Sequence, residues 1–144
     1  MELTELEQRL GPFCQAMYED DQAEVSDVYA MPGHAGFAYG FSATSQAKTE
    51  SWFLRLPPPN VKLVGTADVL RQVAVLSALD GTTVPHCSIK WSGDDPQWFG
   101  RPYFTVPKLE GDVIRLEGSE WVEKLHEDTR RDMARQAMTA LAAI

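Results

Sequence analysis

One amphipathic helix near the middle of the chain, with strand-like segments on both sides of it, constrains the fold most. Residues 68–79 place five apolar side chains at helical spacing, Thr66 or Asp68 can cap the start, and Gly81 can close the end. Three strand-like segments precede this helix and two follow it. Strands that come in hairpins, and do not alternate with helices, predict an α+β fold around a five-stranded antiparallel sheet.

The strand predictions rest on short apolar or aromatic segments between turn signals. The predicted strands cover residues 25–31, 37–44, 52–56, 87–91 and 103–106. A glycine-containing loop at 32–36 joins the first two, and three consecutive prolines at 57–59 stop the third. Residues 45–50 and 92–96 are polar and predict turns.

Helices are predicted at both ends of the chain. Leu3, Leu6 and Leu10 recur at helical spacing, and Gly11–Pro12 is expected to kink or split that helix. Beyond Gly111, Ser119 can cap a short helix. A longer helix then runs to the C-terminus and carries an apolar stripe that includes Met133, Ala137, Leu141 and Ile144.

Composition and charge exclude several classes of function. The net charge of −8 and the pI near 4.8 argue against nonspecific nucleic-acid binding, because phosphate contacts need clustered Lys and Arg. No apolar run reaches 18 residues, and the acidic N-terminus does not resemble a signal peptide. Cys14 and Cys87 have neither CxxC spacing nor a second pair for zinc. We therefore expect a cytoplasmic protein with two reduced thiols and no membrane contact.

Four segments together resemble the N-terminal lobe of the aminoglycoside phosphotransferase and choline-kinase group, which has the protein-kinase-like fold. The third strand and the prolines after it read WFLRLPPP, and the central helix with the following turn reads DVLRQVAVLSALDGTTVPHC. The loop into the fifth strand and the hinge reads WFGRPYFTVPKLEG, and the last helix reads MARQAMTALAAI. The resemblance runs from about Val25 onward. It implies a kinase-like N-lobe over 23–107 and a hinge with the first helices of a second lobe over 108–144. The segment 1–22, which holds the N-terminal helix predicted from its leucine spacing, precedes them.

The resemblance also implies ATP and Mg²⁺ as cofactors, with a phosphate-binding loop at Gly33, His34, Ala35 and Gly36. Glycine suits such a loop because the backbone must approach the phosphates closely and offer N–H donors. The flanking alanines carry no hydroxyl or amide group, so backbone donors alone are expected to serve.

Four further positions take roles from the same resemblance. Arg55 aligns with the lysine of the third strand that pairs with the α- and β-phosphates, and Gln72 falls where the central helix usually carries a glutamate. Val106 and Lys108 fall at the hinge. There the adenine edge is expected to bond to one backbone carbonyl and to the N–H of Lys108 or Leu109, because Pro107 has no N–H.

The catalytic residues of such kinases are missing from this sequence. Relatives carry a His-x-Asp signature followed by Asn, and a later Asp that holds magnesium. Here His126-Glu127-Asp128 lies before the last helix, not after it, and no Asn follows. We interpret it as a solvated helix face. Asp94-Asp95 could bind a metal but is typical of a turn. No catalytic or metal-ligating residue is predicted, and whether the whole protein is an enzyme stays open.

Three interpretations follow from the sequence. The first is the ATP-binding half of a small-molecule kinase, either a truncated gene product or an expressed fragment, with a nucleotide as its partner. The second is a non-catalytic module that kept the lobe and forms a homodimer through its C-terminal helix. The third is an unrelated α+β ligand-binding domain.

Overall fold

A computed structural model describes residues 1–31, 37–111 and 120–143 and has an α+β fold. The helices are α1 (Leu3–Tyr18), α2 (Val69–Ala78), α3 (Pro96–Phe99), α4 (Glu120–Glu123) and α5 (Glu127–Ala142), with a 3₁₀ turn at Gly65–Ala67. The strands are β1 (Glu24–Ala30), β2 (Phe37–Ser45), β3 (Lys48–Leu56), β4 (Trp91–Gly93) and β5 (Tyr103–Pro107). All the strand pairs are antiparallel, and the strand order is β1-β2-β3-β5-β4. The predicted five-stranded antiparallel sheet with a helix between its third and fourth strands is therefore confirmed.

The chain divides into two compact units. The first consists of Met1–Asp80 with Cys87–Lys108 and contains α1, α2, α3 and the sheet. The second consists of Gly81–His86 with Leu109–Ile144 and contains α4 and α5. Within the described ranges, no helix is both long enough and apolar enough to cross a bilayer.

The core of the first unit lies between α1 and one face of the sheet. Alternate side chains of a strand point to opposite faces, and Trp52, Leu54 and Leu56 of β3 are all buried on this side. Phe13 of α1 anchors the packing, since its ring centroid lies 5.0–5.8 Å from those of four aromatic rings. Those rings belong to Trp91, Trp98, Phe99 and Tyr103.

The helix α1 runs through Gly11 and Pro12 without a break, so of the expected kink or split, the split is wrong. A proline inside a helix removes one backbone hydrogen bond. Four residues of α1 are buried against the sheet on both sides of that position, and their packing outweighs the loss. They are Leu6, Leu10, Phe13 and Cys14.

The helix α2 matches its prediction closely. It begins after Asp68, whose side chain accepts a hydrogen bond of 3.0 Å from the N–H of Arg71 and so caps the helix. Val69 is fully buried, whereas Val75 is 56% exposed. The predicted apolar stripe therefore marks the packed side of the helix.

Three predicted boundaries differ from the structure. Strand β3 begins at Lys48, because only Gln46 and Ala47 form the turn that was expected over 45–50. Strand β4 is Trp91–Gly93, so most of the strand predicted over 87–91 is irregular and part of the predicted turn at 92–96 is strand. The remainder of that turn leads into α3, which is capped by Asp95 and was not predicted.

Candidate functional site

The predicted site residues fall into two groups. Gly33, His34, Ala35 and Gly36 lie outside the described residues. The other four belong to the first unit, with Arg55 on β3, Gln72 on α2, Val106 on β5, and Lys108 directly after β5.

The sheet face opposite α1 collects most of these residues. Strand register puts residues in rows that cross the sheet, and residues of one row share a face. One row consists of Tyr29, Gly40, Phe53 and Val106. The neighbouring row consists of Ala38, Arg55, Phe104 and Ser92.

Strand β2 gives this face a low floor. Its outward positions carry the small residues Ala38, Gly40 and Ser42, whereas its inward positions include Tyr39 and Phe41 of the core. Tyr29 stands on the strand at one side of this floor, and Phe53 stands on the strand at the other. We call this strip of small residues on β2, between Tyr29 and Phe53, the trough; the ring of Tyr29 covers it at Gly40.

Arg55 supplies the positive charge of the trough. It is directly opposite Ala38 on β2 and Phe104 on β5, it is half-buried, and its Nε is buried. Among the paired residues of the two rows that the structure describes, Arg55 is the single charged side chain. A guanidinium stays protonated in proteins and can bind a phosphate through two parallel hydrogen bonds.

Gln72 reaches the same side of the sheet because its helix packs there. Val69 and Phe104 are both buried, yet neither belongs to the core cluster on the α1 face. The helix α2 contacts β4 and β5, so it covers the Phe104 end of the opposite face. Gln72 therefore lies on the helix that packs beside β5, and it is half-buried. Phe104 of β5 is paired with Arg55 of β3.

At the predicted hinge, the sheet itself uses the backbone N–H of Lys108. The N–H of Lys108 donates to the carbonyl of Ser51 at 2.9 Å, which continues the ladder between β3 and β5. That N–H is therefore not open to a base edge while the ladder is intact.

Tyr29 and Gly40 form a contact that the sequence interpretation missed. A Cβ placed on Gly40 would lie 2.2 Å from Cζ of Tyr29, so the phenol ring rests directly against the glycine. Above the ring, Nζ of Lys108 lies 5.5 Å from its centroid. The signal available in the sequence was a glycine within a strand, which often marks a close approach to the backbone.

A separate polar cluster on the α1 side explains several shifted pKa values. The hydroxyl of Tyr18 accepts from Nε1 of Trp52 at 2.9 Å and donates to Oε2 of Glu50 at 3.0 Å. Burial raises the pKa of Tyr18, and the hydrogen bond from Lys48 lowers that of Glu50. Lys90 covers the Trp52 and Trp91 rings at 5.7 and 5.4 Å. These contacts join α1 to the sheet.

The other residues considered for chemistry have local structural roles. Asp95 Oδ1 accepts from the N–H of Gln97 at 2.9 Å and caps α3, which agrees with a turn more than with a metal site. His126 caps α5 by accepting from the N–H of Asp128, and both side chains are largely exposed. Across residues 1–31, 37–111 and 120–143, no three His, Cys, Asp or Glu side chains group as a metal site.

No protein-family model and no curated protein sequence matches the chain.

Proposed function

We propose that this chain is the ATP-binding N-terminal lobe of a small-molecule kinase similar to the aminoglycoside phosphotransferases. The observation that carries the proposal is the position of Arg55. This cation is half-buried on β3, at the side of a trough floored by small residues and next to a helix that occupies the crossover between β3 and β4. The resemblance assigns a phosphate-binding base to this place.

Charge and shape both favour a nucleotide on this face. The protein carries a net charge of −8, and the two rows of paired residues on this face include a cation and no carboxylate. A polyphosphate is therefore attracted to this face more than to the acidic surface as a whole. Tyr29 and Phe53 offer aromatic surface for a base.

Two features make the proposed site differ from a typical kinase lobe. Gln72 carries no charge, so it can orient the phosphate-binding base by hydrogen bonding but not as an ion pair. The engaged N–H of Lys108 leaves the base edge with one fewer donor. Mg²⁺ would arrive on the phosphates of the nucleotide. The proposal for this chain is binding and not phosphoryl transfer, because the sequence lacks the Asn and second Asp of the catalytic motif.

Calorimetric titration with Mg·ATP tests the proposal. The wild type should bind, Arg55→Gln should lower the affinity at least tenfold, and Arg55→Lys should keep part of it. Arg71→Ala is the matched control, because Arg71 is an exposed arginine on α2 in the same unit. The melting temperature without ligand separates lost binding from lost folding. Equal affinity in the wild type and Arg55→Gln would contradict the proposal.

The second candidate function, a homodimeric interaction module, is favoured by the surface of α5. No residue of α5 is buried, and Met138 and Leu141 are 64% and 61% exposed at a spacing that puts them on one side of the helix. A second copy of the chain would cover this stripe. Sedimentation velocity over a hundredfold range of concentration tests it. A dimer that dissociates on Leu141→Glu supports this function, and a monomer at all concentrations contradicts it.

A further inference from the structure

We propose that a groove beside the end of β3 binds a small organic acid, and that Arg101 holds the carboxylate of this ligand. Two loops form the groove, one within residues 57–63 after β3 and the other at residues 100–102 before β5. Its volume is about 320 Å³. The residues that line it are different from those in the two rows of the trough, so this site is separate from the proposed nucleotide site.

The chain on both sides of Arg101 is restricted, which fixes the position of this cation. Gly100 ends α3 with a left-handed φ of 70°, and its N–H donates to the carbonyl of Pro96 at 2.8 Å. Pro102 follows, and a residue before a proline is restricted to extended backbone. The half-buried side chain is held too, because Nη1 of Arg101 donates to the carbonyl of Pro57 at 3.1 Å. A cation fixed in this way loses little conformational freedom when an anion binds.

Arg101 has hydrogen-bonding capacity for an anion. A guanidinium carries five N–H donors in one plane, and the hydrogen bond to Pro57 uses one of them. Within residues 1–31, 37–111 and 120–143, no carboxylate forms an ion pair with Arg101. A guanidinium can bind a carboxylate through two parallel hydrogen bonds. The lining of the groove also contains no acidic residue, although the protein has a net charge of −8, so an anion is favoured here over the acidic surface elsewhere.

The rest of the groove offers apolar surface for the body of the ligand. Four prolines belong to its lining, at positions 57–59 and 102. Val61 and Leu63 line it as well, and they are 45% and 44% exposed. A ligand that covers these side chains removes apolar surface from water. Asn60 adds a side-chain amide, which gives the combination of apolar walls and few polar groups that is common in small-molecule sites.

The prolines favour a small acid over the carboxyl end of a peptide. An extended peptide gains much of its affinity from main-chain hydrogen bonds with its receptor. The four prolines of the lining have no N–H to donate. The volume of the groove is also at the lower end of the range for small-molecule sites. The ligand class is therefore a carboxylate with a short apolar body.

NMR titrations of the whole ¹⁵N-labelled chain with matched probes test the proposal. Hexanoate combines a carboxylate with an apolar chain, hexylamine has the same chain with a positive charge, and acetate has the carboxylate almost alone. Hexanoate should shift the amide signals of Val61, Leu63 and Arg101 until they saturate. It should bind about fivefold more tightly than acetate or better, and hexylamine should leave these signals unshifted.

Variants separate the role of the cation from that of the fold. Arg101→Gln should weaken hexanoate binding about tenfold, and Arg101→Lys should keep part of the affinity. Arg71→Gln is the control, because Arg71 is an exposed arginine of the same unit that does not line the groove.

A second variant is needed because Arg101→Gln also removes the hydrogen bond to Pro57. Leu63→Glu puts a carboxylate into the groove at an exposed position, so it should weaken hexanoate binding about tenfold without loss of folding. Val75→Glu makes the same change at an exposed apolar residue outside the groove and should bind hexanoate like the wild type.

Weaker binding in both Arg101→Gln and Leu63→Glu, with both controls unchanged, supports the proposal. The proposal is wrong if either of these variants binds hexanoate like the wild type, if hexylamine shifts the same amides as hexanoate, or if the shifts fall outside the two loops. Arg55→Gln should bind hexanoate normally. A protein that binds hexanoate in the groove but not Mg·ATP would contradict the proposed function and support the groove, and the opposite result would contradict the groove alone.

Discussion

Asp20 shows how a single carboxylate can connect distant parts of the first unit. Its Oδ2 accepts from the hydroxyl of Ser45 at 2.7 Å and from the N–H of Gln46 at 3.3 Å, and its Oδ1 accepts from the N–H of Gln22 at 2.9 Å. The hydrogen bond from Ser45, followed by that from Gln22, lowers the pKa of Asp20. The loop after α1 is thereby fastened to the β2–β3 hairpin.

We predict that stability falls in acid partly through Asp20. Because the folded-state pKa is lowered, the ionised carboxylate stabilises the fold above the unfolded-state pKa of about 3.9, and this stabilisation is lost as the pH falls through the folded value. The difference between wild type and Asp20→Asn in urea unfolding should therefore be largest at pH 7 and should shrink as the pH falls below about 3.9. Asp21→Asn is the control, since the three hydrogen bonds above end on Asp20. A difference that does not shrink as the pH falls below the unfolded-state pKa would contradict this origin.

Residue roles were predictable where the partner is near in sequence. Asp68 was expected as a helix cap, and it caps α2 through Arg71, three residues later. The role of Asp20 was not predictable, because its partners Ser45 and Gln46 lie far along the chain and only the folded sheet brings them near. The same reason hid the contact between Tyr29 and Gly40, which depends on a β-bulge in β1 that no local pattern indicates.

At the scale of elements, the β2–β3 hairpin combines a tight turn with unfavourable turn residues. Its loop is only two residues, Gln46 and Ala47, and both have positive φ angles of 49° and 62°. Two-residue hairpins prefer such turns, but side chains other than those of Gly, Asn and Asp are strained there. Neither Gln46 nor Ala47 is a residue typical of such a tight turn. The polar composition of the segment therefore predicts only a longer turn over 45–50.

We predict that replacing Gln46 and Ala47 by Asn and Gly stabilises the protein by about 1 kcal/mol, because the new residues adopt this backbone with less strain. The free energy of unfolding in urea measures the effect. Ala16→Gly places a glycine in the regular backbone of α1 at an exposed position and should destabilise by about 0.5–1 kcal/mol. A double variant that is no more stable than the wild type would show that the hairpin is not strained.

The elements that were mispredicted are those whose stability comes from tertiary packing. The pattern of α2 is long and amphipathic, and its bounds were predicted within one residue. Strand β4 has three residues and pairs with β5. The helix α3 has four residues, of which Phe99 is buried. Segments this short carry too few residues for a periodic pattern, so the sequence indicates their presence weakly.

At the scale of the whole molecule, two helices of equal length have opposite surroundings. The helices α1 and α5 each have 16 residues, but α1 buries four side chains and α5 buries none. Exposed ion pairs such as Arg131–Glu127 support α5 locally and contribute little each. Local opening of α5 therefore exposes little apolar surface that was buried before.

We predict that amides of α5 exchange with deuterium at least ten times faster than those of α1, because α5 can unfold without disturbing a core. Exchange followed by mass spectrometry measures both helices in one sample. The comparison is repeated at low and high protein concentration. Equal protection of the two helices at the lowest concentration would contradict the prediction, and protection of α5 that grows with concentration would favour the homodimer.

The antiparallel sheet and its helices were predictable as a whole, whereas the arrangement of the site was predictable only in part. The order of strand and helix patterns in the sequence predicts Arg55 on a strand and Gln72 on the helix that follows, as the structure has them. Their association with Tyr29 and Phe53 depends on which face each strand turns toward α1, and that follows from register and the bulge.

The bulge in β1 has a consequence beyond the position of Tyr29. In the strand order, β1 and β4 are the two edge strands of the sheet. The unpaired peptide groups of an edge strand can form hydrogen bonds with a strand of another molecule. Here the edge strand β1 is interrupted by Asp27, which has a left-handed backbone, and the edge strand β4 is only three residues long. Neither edge strand is long and straight enough to favour edge-to-edge pairing with a strand of another molecule. We therefore expect unheated, concentrated solutions of this acidic protein to resist fibril formation, despite the aromatic content of its strands.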